Sequence, residues 1–184
     1  MKLLVIGDVV GEAGIDALHG LLRRIKRDTG ADFVIVNGEN AAGNGVLPRQ
    51  ADDIFAAGAD VITLGNHVFG KQQIVPYLDS RSDVLRPANL APQSPGRGWG
   101  IYDGPQGMRL LVMNLIGRCD MKYGPDNPFL CADRILKEND ELYRSAVKTM
   151  GLPDCAFWIL YTLRESSETL TQSDVCYTLY QPKQ

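Results

Sequence analysis

The chain has 184 residues, of which 45% are hydrophobic and 22% charged, so it can bury an ordinary globular core in one domain, with room for a small second one. Its 19 basic and 22 acidic residues give a net charge of -3, which supplies no global attraction to nucleic acid. Four cysteines without a CxxC pair argue against a disulfide framework.

The first residues run directly into an apolar stretch, without the basic and then apolar segments of a secretion signal. No apolar run is long enough to span a bilayer, so we expect no membrane partner. These features together predict a cytoplasmic protein.

The N-terminal part alternates short apolar runs with amphipathic segments. Residues 2–7, 32–37 and 60–64 are predicted strands, the first of them buried on both faces. Residues 14–29 and 48–57 are predicted helices, the first with an apolar stripe that includes Leu18, Leu21 and Leu22. This β-α-β-α-β order predicts an α/β fold with a mostly parallel sheet flanked by helices.

The chain continues with weaker signals. Residues 71–78 form a short predicted helix, residues 84–100 are loop-like, and strands are expected near 98–102 and 109–115 around a Gly-Pro-Gln-Gly turn. A helix starts at 132–136. The strand signals end near residue 137, and helices are predicted at 140–150, 156–164 and 173–179, the last opened by Thr171 with Asp174 as a capping box. We therefore expect an α/β domain over residues 1–137 and a small all-α tail over 139–184.

Polar side chains stand at the carboxyl end of each of the first three strands, where ligands bind in open α/β sheets. Oxygen donors with an imidazole suit a hard or borderline divalent metal. One such residue would usually be only a helix or turn cap, but three strand ends favour a site. The candidate residues are Asp8, Glu39, Asn40, Asn66 and His67. His19, on the first helix, is predicted to be a surface residue and not a ligand.

Four motifs follow in order: Gly7-Asp8-Val9-Val10-Gly11, Asn37-Gly38-Glu39-Asn40-Ala41-Ala42, Leu64-Gly65-Asn66-His67 and Arg86-Pro87-Ala88-Asn89. Together they closely resemble the YmdB-type branch of the calcineurin-like metallophosphoesterases, over residues 1–137. The resemblance implies a partial calcineurin-like fold and a metal-dependent phosphodiesterase of the type acting on 2',3'-cyclic nucleotides. It also implies two divalent metal ions, iron or manganese, as cofactors.

The same resemblance implies a role for each candidate residue. Asp8 corresponds to a terminal ligand of one metal, and Glu39 to the carboxylate that bridges both metals. Asn66 corresponds to a ligand of the second metal, with Asn40 close to the cluster. His67 corresponds to the donor of a proton to the leaving alkoxide, a task suited to imidazole.

The chain departs from the family pattern in two places. The family follows the Asn-His pair with Thr-Trp-Asp, where this chain has Val68-Phe69-Gly70. The family also uses three downstream histidines as metal ligands, whereas this chain has only His19 and His67. We therefore expect a C-terminally truncated relative that binds metal weakly and turns over phosphodiesters poorly.

Residues 139–184 contain three shorter motifs: Asp140-Glu141-Leu142-Tyr143, Ala156-Phe157-Trp158-Ile159-Leu160-Tyr161, and Leu170-Thr171-Gln172 through Pro182-Lys183-Gln184. Through them the tail resembles the opening helices of a MarR-type winged helix-turn-helix regulator. The recognition helix would follow residues 182–184, so DNA binding is not expected. Two alternatives to an active enzyme remain open: a non-catalytic metal- or nucleotide-binding fragment, completed in trans, and a fusion to a DNA-binding regulator. An unpaired sheet edge would favour homo-oligomers.

Overall fold

The computed structural model describes residues 1–119, 121, 124–166 and 169–179. Contacts divide the chain into two units, Met1–Asp133 and Arg134–Gln184. No helix of the described residues is long and apolar enough to cross a membrane.

The elements are β1 (Leu3–Asp8), α1 (Gly11–Thr29), β2 (Phe33–Asn37), α2 (Pro48–Ala57), β3 (Val61–Thr63), α3 (Ile74–Ser80), β4 (Val84–Leu85), β5 (Trp99–Asp103), β6 (Arg109–Met113), α4 (Pro128–Thr149), α5 (Asp154–Glu165) and α6 (Gln172–Thr178).

The first four strands form one parallel sheet in the order β1-β2-β3-β4. Helix α1 connects β1 to β2, and α2 connects β2 to β3. The predicted α/β class with a parallel sheet flanked by helices is thus confirmed. The two-residue strand β4 lies in a segment predicted to be loop, because so short a strand shows no alternation of apolar and polar residues.

The main core lies between this sheet and the helices. Val34, Val36 and Ile62 are fully buried there against α1 and α2. Helix α1 contributes residues spaced three and four apart, which places them on one helical face: Ile15, Leu18 and Leu22. Leu21 was predicted on the same stripe, but it lies outside the contact and is 41% exposed.

A β-hairpin covers the opposite face of the sheet. Strands β5 and β6 pair antiparallel around a single 3-10 turn, which confirms the strands predicted around the Gly-Pro-Gln-Gly segment. Val112, Leu110 and Tyr102 of the hairpin pack in a second core cluster against three residues of the sheet: Phe33, Val61 and Leu85.

Strand β1 is not buried on both faces, so that prediction is wrong. Leu4 and Ile6 pack against the main core, but Leu3 is 43% and Val5 65% exposed. The reason is that the hairpin cluster contains residues of β2, β3 and β4 and none of β1. Among the described residues β1 pairs only with β2 and forms an edge of the sheet.

The described residues of the C-terminal part are mainly helical, as predicted. The helices expected at 132–136 and 140–150 are one continuous helix, α4, of 22 residues. Within the second unit, four aromatic rings contact one another at centroid distances of 5.4–6.4 Å: Tyr143, Phe157, Trp158 and Tyr161. The capping box at the start of α6 is present, since the side chains of Thr171 and Asp174 each accept the other's backbone N–H.

Candidate active site at the strand ends

The ends of the parallel strands are kept in line by backbone hydrogen bonds. Because the strands run in one direction, the segments that follow them emerge at the same edge of the sheet, which we call the strand-end edge. The bonds run from the Val9 N–H to the Asn37 carbonyl, from Gly38 to Thr63 and from Leu64 to Leu85, at 2.9, 3.1 and 2.9 Å.

Asp8 and Asn40 meet at this edge. The Asn40 Nδ2 donates to Asp8 Oδ2 at 2.8 Å, and the Asn40 carbonyl accepts the Gly11 N–H at 3.1 Å. The other side-chain oxygens of the pair, Asp8 Oδ1 and Asn40 Oδ1, make no hydrogen bond to the described residues. They are therefore available to a ligand.

Glu39 is buried beside this pair, with 8% of its surface exposed. Its backbone N–H donates to Asn37 Oδ1 at 3.0 Å, and its Oε1 accepts the backbone N–H of His67. The carboxylate lies directly against Gly65, because a Cβ on that residue would stand only 2.1 Å from Glu39 Oε2. A glycine at the end of β3 thus makes room for a carboxylate from the end of β2.

Asn66 and His67 are the remaining two candidate residues at the strand-end edge. The Asn66 Nδ2 contacts His67 Nε2 at 3.1 Å. An amide nitrogen can only donate, so in this arrangement Nε2 accepts and the neutral ring carries its proton on Nδ1. His67 Nδ1 is buried, has no hydrogen-bond partner among the described residues and lies 3.7 Å from Glu39 Oε1.

These residues have the oxygen atoms needed as ligands of a divalent cation. Glu39 is a buried carboxylate whose sole ion-pair contact with the described residues is His67, and burying a charge without a partner is costly. The buried Nδ1 of His67 likewise lacks a partner there. Within the described residues, however, no three His, Cys, Asp or Glu side chains group closely enough to hold a metal ion. Any metal held here would rely on the amide oxygens too.

The structure brings the five predicted residues to one edge and leaves His19 out. His19 is exposed on α1, as predicted. A further residue, Asn114, lies in a stretch that also resembles the family, Asn114-Leu115-Ile116-Gly117-Arg118, but it was not predicted to be a site residue. Its Nδ2 donates to the carbonyls of Leu64 and Leu85, the latter at 2.9 Å, and so ties the end of β6 to the ends of β3 and β4. The available signal was a polar residue directly after an apolar strand, the same pattern as in β1, β2 and β3.

The family described as YmdB-like protein matches residues 4–149 of this chain. That range includes every residue of the candidate site. The chain belongs to the YmdB-like family.

Two curated relatives of this YmdB-like chain carry enzyme names. A 2',3'-cyclic-nucleotide 2'-phosphodiesterase from Bacillus subtilis is 39% identical over 139 residues, which cover 75% of this chain and 52% of the relative. A putative phosphatase/phosphodiesterase from Mycoplasma pneumoniae is 29% identical over 150 residues, which cover 78% of this chain and 53% of the relative. The chain thus spans about half the length of the curated relatives it matches.

Solved structures agree with the fold. A hypothetical protein from Thermus thermophilus matches with a TM-score of 0.68 and 36% identity, covering 75% of this chain and 53% of that one. A novel phosphatase from Mycoplasma pneumoniae matches with a TM-score of 0.69 and 26% identity, covering 75% and 51%. The family match ends at residue 149 and so leaves most of the tail uncovered, and the MarR-type resemblance stays a prediction. The domain boundary near residue 137 also stays a prediction.

Proposed function

We propose that this YmdB-like chain is a metal-dependent phosphodiesterase of the calcineurin-like type, acting on 2',3'-cyclic nucleotides or related phosphodiesters. One observation carries the proposal: the buried carboxylate of Glu39, without a Lys or Arg partner among the described residues, lies on the same edge as the Asp8–Asn40 pair. The names of the Bacillus and Mycoplasma relatives support the class of reaction.

Four side chains would hold the metal: Asp8, Glu39, Asn40 and Asn66. Divalent metals held there, iron or manganese in this proposal, would polarise a phosphoryl oxygen and lower the pKa of a bound water. The Asn40–Asp8 hydrogen bond, at 2.8 Å, fixes the orientation of the Asp8 carboxylate. The contact between Gly65 and Glu39 does the same for the second carboxylate.

His67 would hold the proton that the leaving alkoxide needs. Its side chain is 42% exposed, so a substrate can reach the ring. Nε2, which accepts from the Asn66 amide in this structure, is the ring nitrogen that would take up and deliver that proton.

We further propose that turnover is slow. The chain has only two histidines, His19 and His67. His19 is exposed within helix α1 and does not follow a strand of the sheet. Imidazole ligands and the groups that orient them fix a metal cluster, and loss of an orienting group alone typically costs about 10–100-fold in affinity or activity. The same shortage favours a second candidate function, a metal- or nucleotide-binding protein without turnover.

The test is hydrolysis of 2',3'-cyclic AMP and bis-p-nitrophenyl phosphate by chelator-stripped protein with manganese or iron added back. We expect turnover that needs metal and lies about 10–100-fold or more below that of the Bacillus subtilis relative. His67→Ala should abolish it, and His19→Ala, which removes an exposed histidine, should not.

Three results would contradict the proposal. Turnover without metal would remove the metal from the reaction. Turnover equal to that of the relative would mean that other residues complete the site. Metal binding without any turnover would favour the second candidate function.

A further inference from the structure

The backbone carbonyl of His67 lies between two glycines, Gly45 and Gly70, which we call the glycine slot. The Gly70 N–H donates to the His67 carbonyl at 2.7 Å. A Cβ on Gly70 would stand 3.0 Å from this oxygen and 2.5 Å from the Asn44 carbonyl oxygen. A Cβ on Gly45 would stand 3.1 Å from the same His67 oxygen. Gly70 therefore has no room for a side chain unless its neighbours shift, and at Gly45 the neighbouring atoms would have to give by a few tenths of an ångström.

The three atoms nearest to a Cβ on Gly70 all belong to the backbone of Asn44 and His67, whereas the Cγ of Lys71 is among those nearest to a Cβ on Gly45. The loop that contains Gly45 is closed by the Ala42 N–H, which donates to the Gly45 carbonyl at 2.9 Å, and by the Gly43 N–H, which donates to the Asn40 carbonyl at 2.9 Å. Gly45 has φ +107°, a conformation that glycine adopts readily and other residues rarely do. A side chain at Gly70 would therefore push the two loops apart.

The glycine slot holds the backbone of His67, the residue proposed to donate the proton. The N–H of His67 donates to Glu39 Oε1 while its carbonyl is held in the slot, so its backbone is fixed on both sides. We propose that Gly45 and Gly70 are positioning residues that set the place of the His67 imidazole beside Glu39. The inference rests on the proposed function for its effect on turnover, but the position of the ring can be measured without turnover.

The experiment uses the fact that the chain has two histidines, so a ¹H–¹³C spectrum shows two imidazole Cε1–H signals. Gly70→Ala should shift or broaden the His67 signal and leave that of His19 in place. The kcat for bis-p-nitrophenyl phosphate should fall about 10–100-fold, because misplacement of a catalytic group by 1 Å can cost that much. The fall in kcat should exceed any change in KM and in manganese affinity, because the new Cβ meets the backbone of Asn44 and His67 and not the side chain of a proposed ligand.

Gly20→Ala is the matched control, because Gly20 lies next to His19 in α1 and a Cβ there meets nothing within 4 Å. It should leave the His67 signal and turnover unchanged. Gly45→Ala is the second variant and should act as Gly70→Ala does.

The outcomes separate the two proposals. If the wild-type chain shows no metal-dependent turnover, the proposed function fails and the His67 signal alone decides the positioning role. If both glycine variants keep the wild-type His67 signal, positioning is refuted. If both histidine signals move to unfolded positions, the glycines serve folding in general and the positioning role is likewise refuted.

Discussion

Gly65→Ala is the substitution that tests the strand-end edge most sharply. The new Cβ would stand 2.1 Å from Glu39 Oε2, 2.6 Å from Cδ and 2.7 Å from Oε1, so it meets the whole carboxylate. Ordinary contact needs about 3.5 Å, and the carboxylate must therefore retreat by roughly 1 Å or more. That movement breaks its hydrogen bond from the backbone N–H of His67.

The cost follows from what the carboxylate loses. A hydrogen bond to a charged group contributes about 1.5–3 kcal/mol, and Glu39 is too buried for water to replace the bond fully. We expect Gly65→Ala to lower the free energy of unfolding by about this amount. We also expect it to weaken manganese binding by about 10-fold or more, because the displaced group is a proposed ligand.

The assay is urea unfolding followed by circular dichroism, with manganese titration of the folded protein. Gly7→Ala is the matched control, since Gly7 precedes Asp8 as Gly65 precedes Asn66, yet a Cβ on Gly7 meets nothing within 4 Å. It should change stability by no more than about 0.5 kcal/mol. Equal behaviour of the two variants would refute the packing of Glu39 against Gly65.

Three further predictions follow from the packing and the titrating groups. Asn114→Ala should cost about 1–3 kcal/mol in urea unfolding, because two strand-end carbonyls lose a donor. Ile54→Ala should cost about 2–5 kcal/mol, whereas Val5→Ala, at 65% exposure, should cost less than about 1 kcal/mol. Burial raises the pKa of Tyr102 from 10.0 to about 12, so its contribution to stability is complete below pH 10 and is lost as pH rises to 12. Tyr102→Phe should flatten that alkaline decline, and an unchanged slope would contradict it.

The position of the site could be predicted from the sequence because it depends on local patterns. Each of the first three strands is an apolar run that ends in a polar residue, and parallel pairing alone brings those ends together. Asp8, Glu39 and Asn66 could therefore be assigned to one edge without knowledge of any side-chain contact. The helical tail was predictable for the same reason, since helix periodicity and the Thr171 capping box are local.

The rest depends on contacts between distant parts of the chain. The exposure of Val5 results from where the hairpin, about 100 residues later, packs on the sheet. The role of Gly65 depends on a carboxylate from another strand, and that of Gly70 on the carbonyl of Asn44. A glycine in the sequence shows only that a side chain is absent, and the structure shows which group occupies the space.

The central claim is that the strand-end edge holds a divalent cation, and manganese binding to the chelator-stripped protein measures it directly. We expect saturable binding that Glu39→Gln weakens about 10-fold or more. Asp103→Asn, which removes one negative charge from a side chain that is 94% exposed, should bind as the wild type does. Wild-type protein that binds no manganese, or Glu39→Gln protein that binds it unchanged, would contradict the claim.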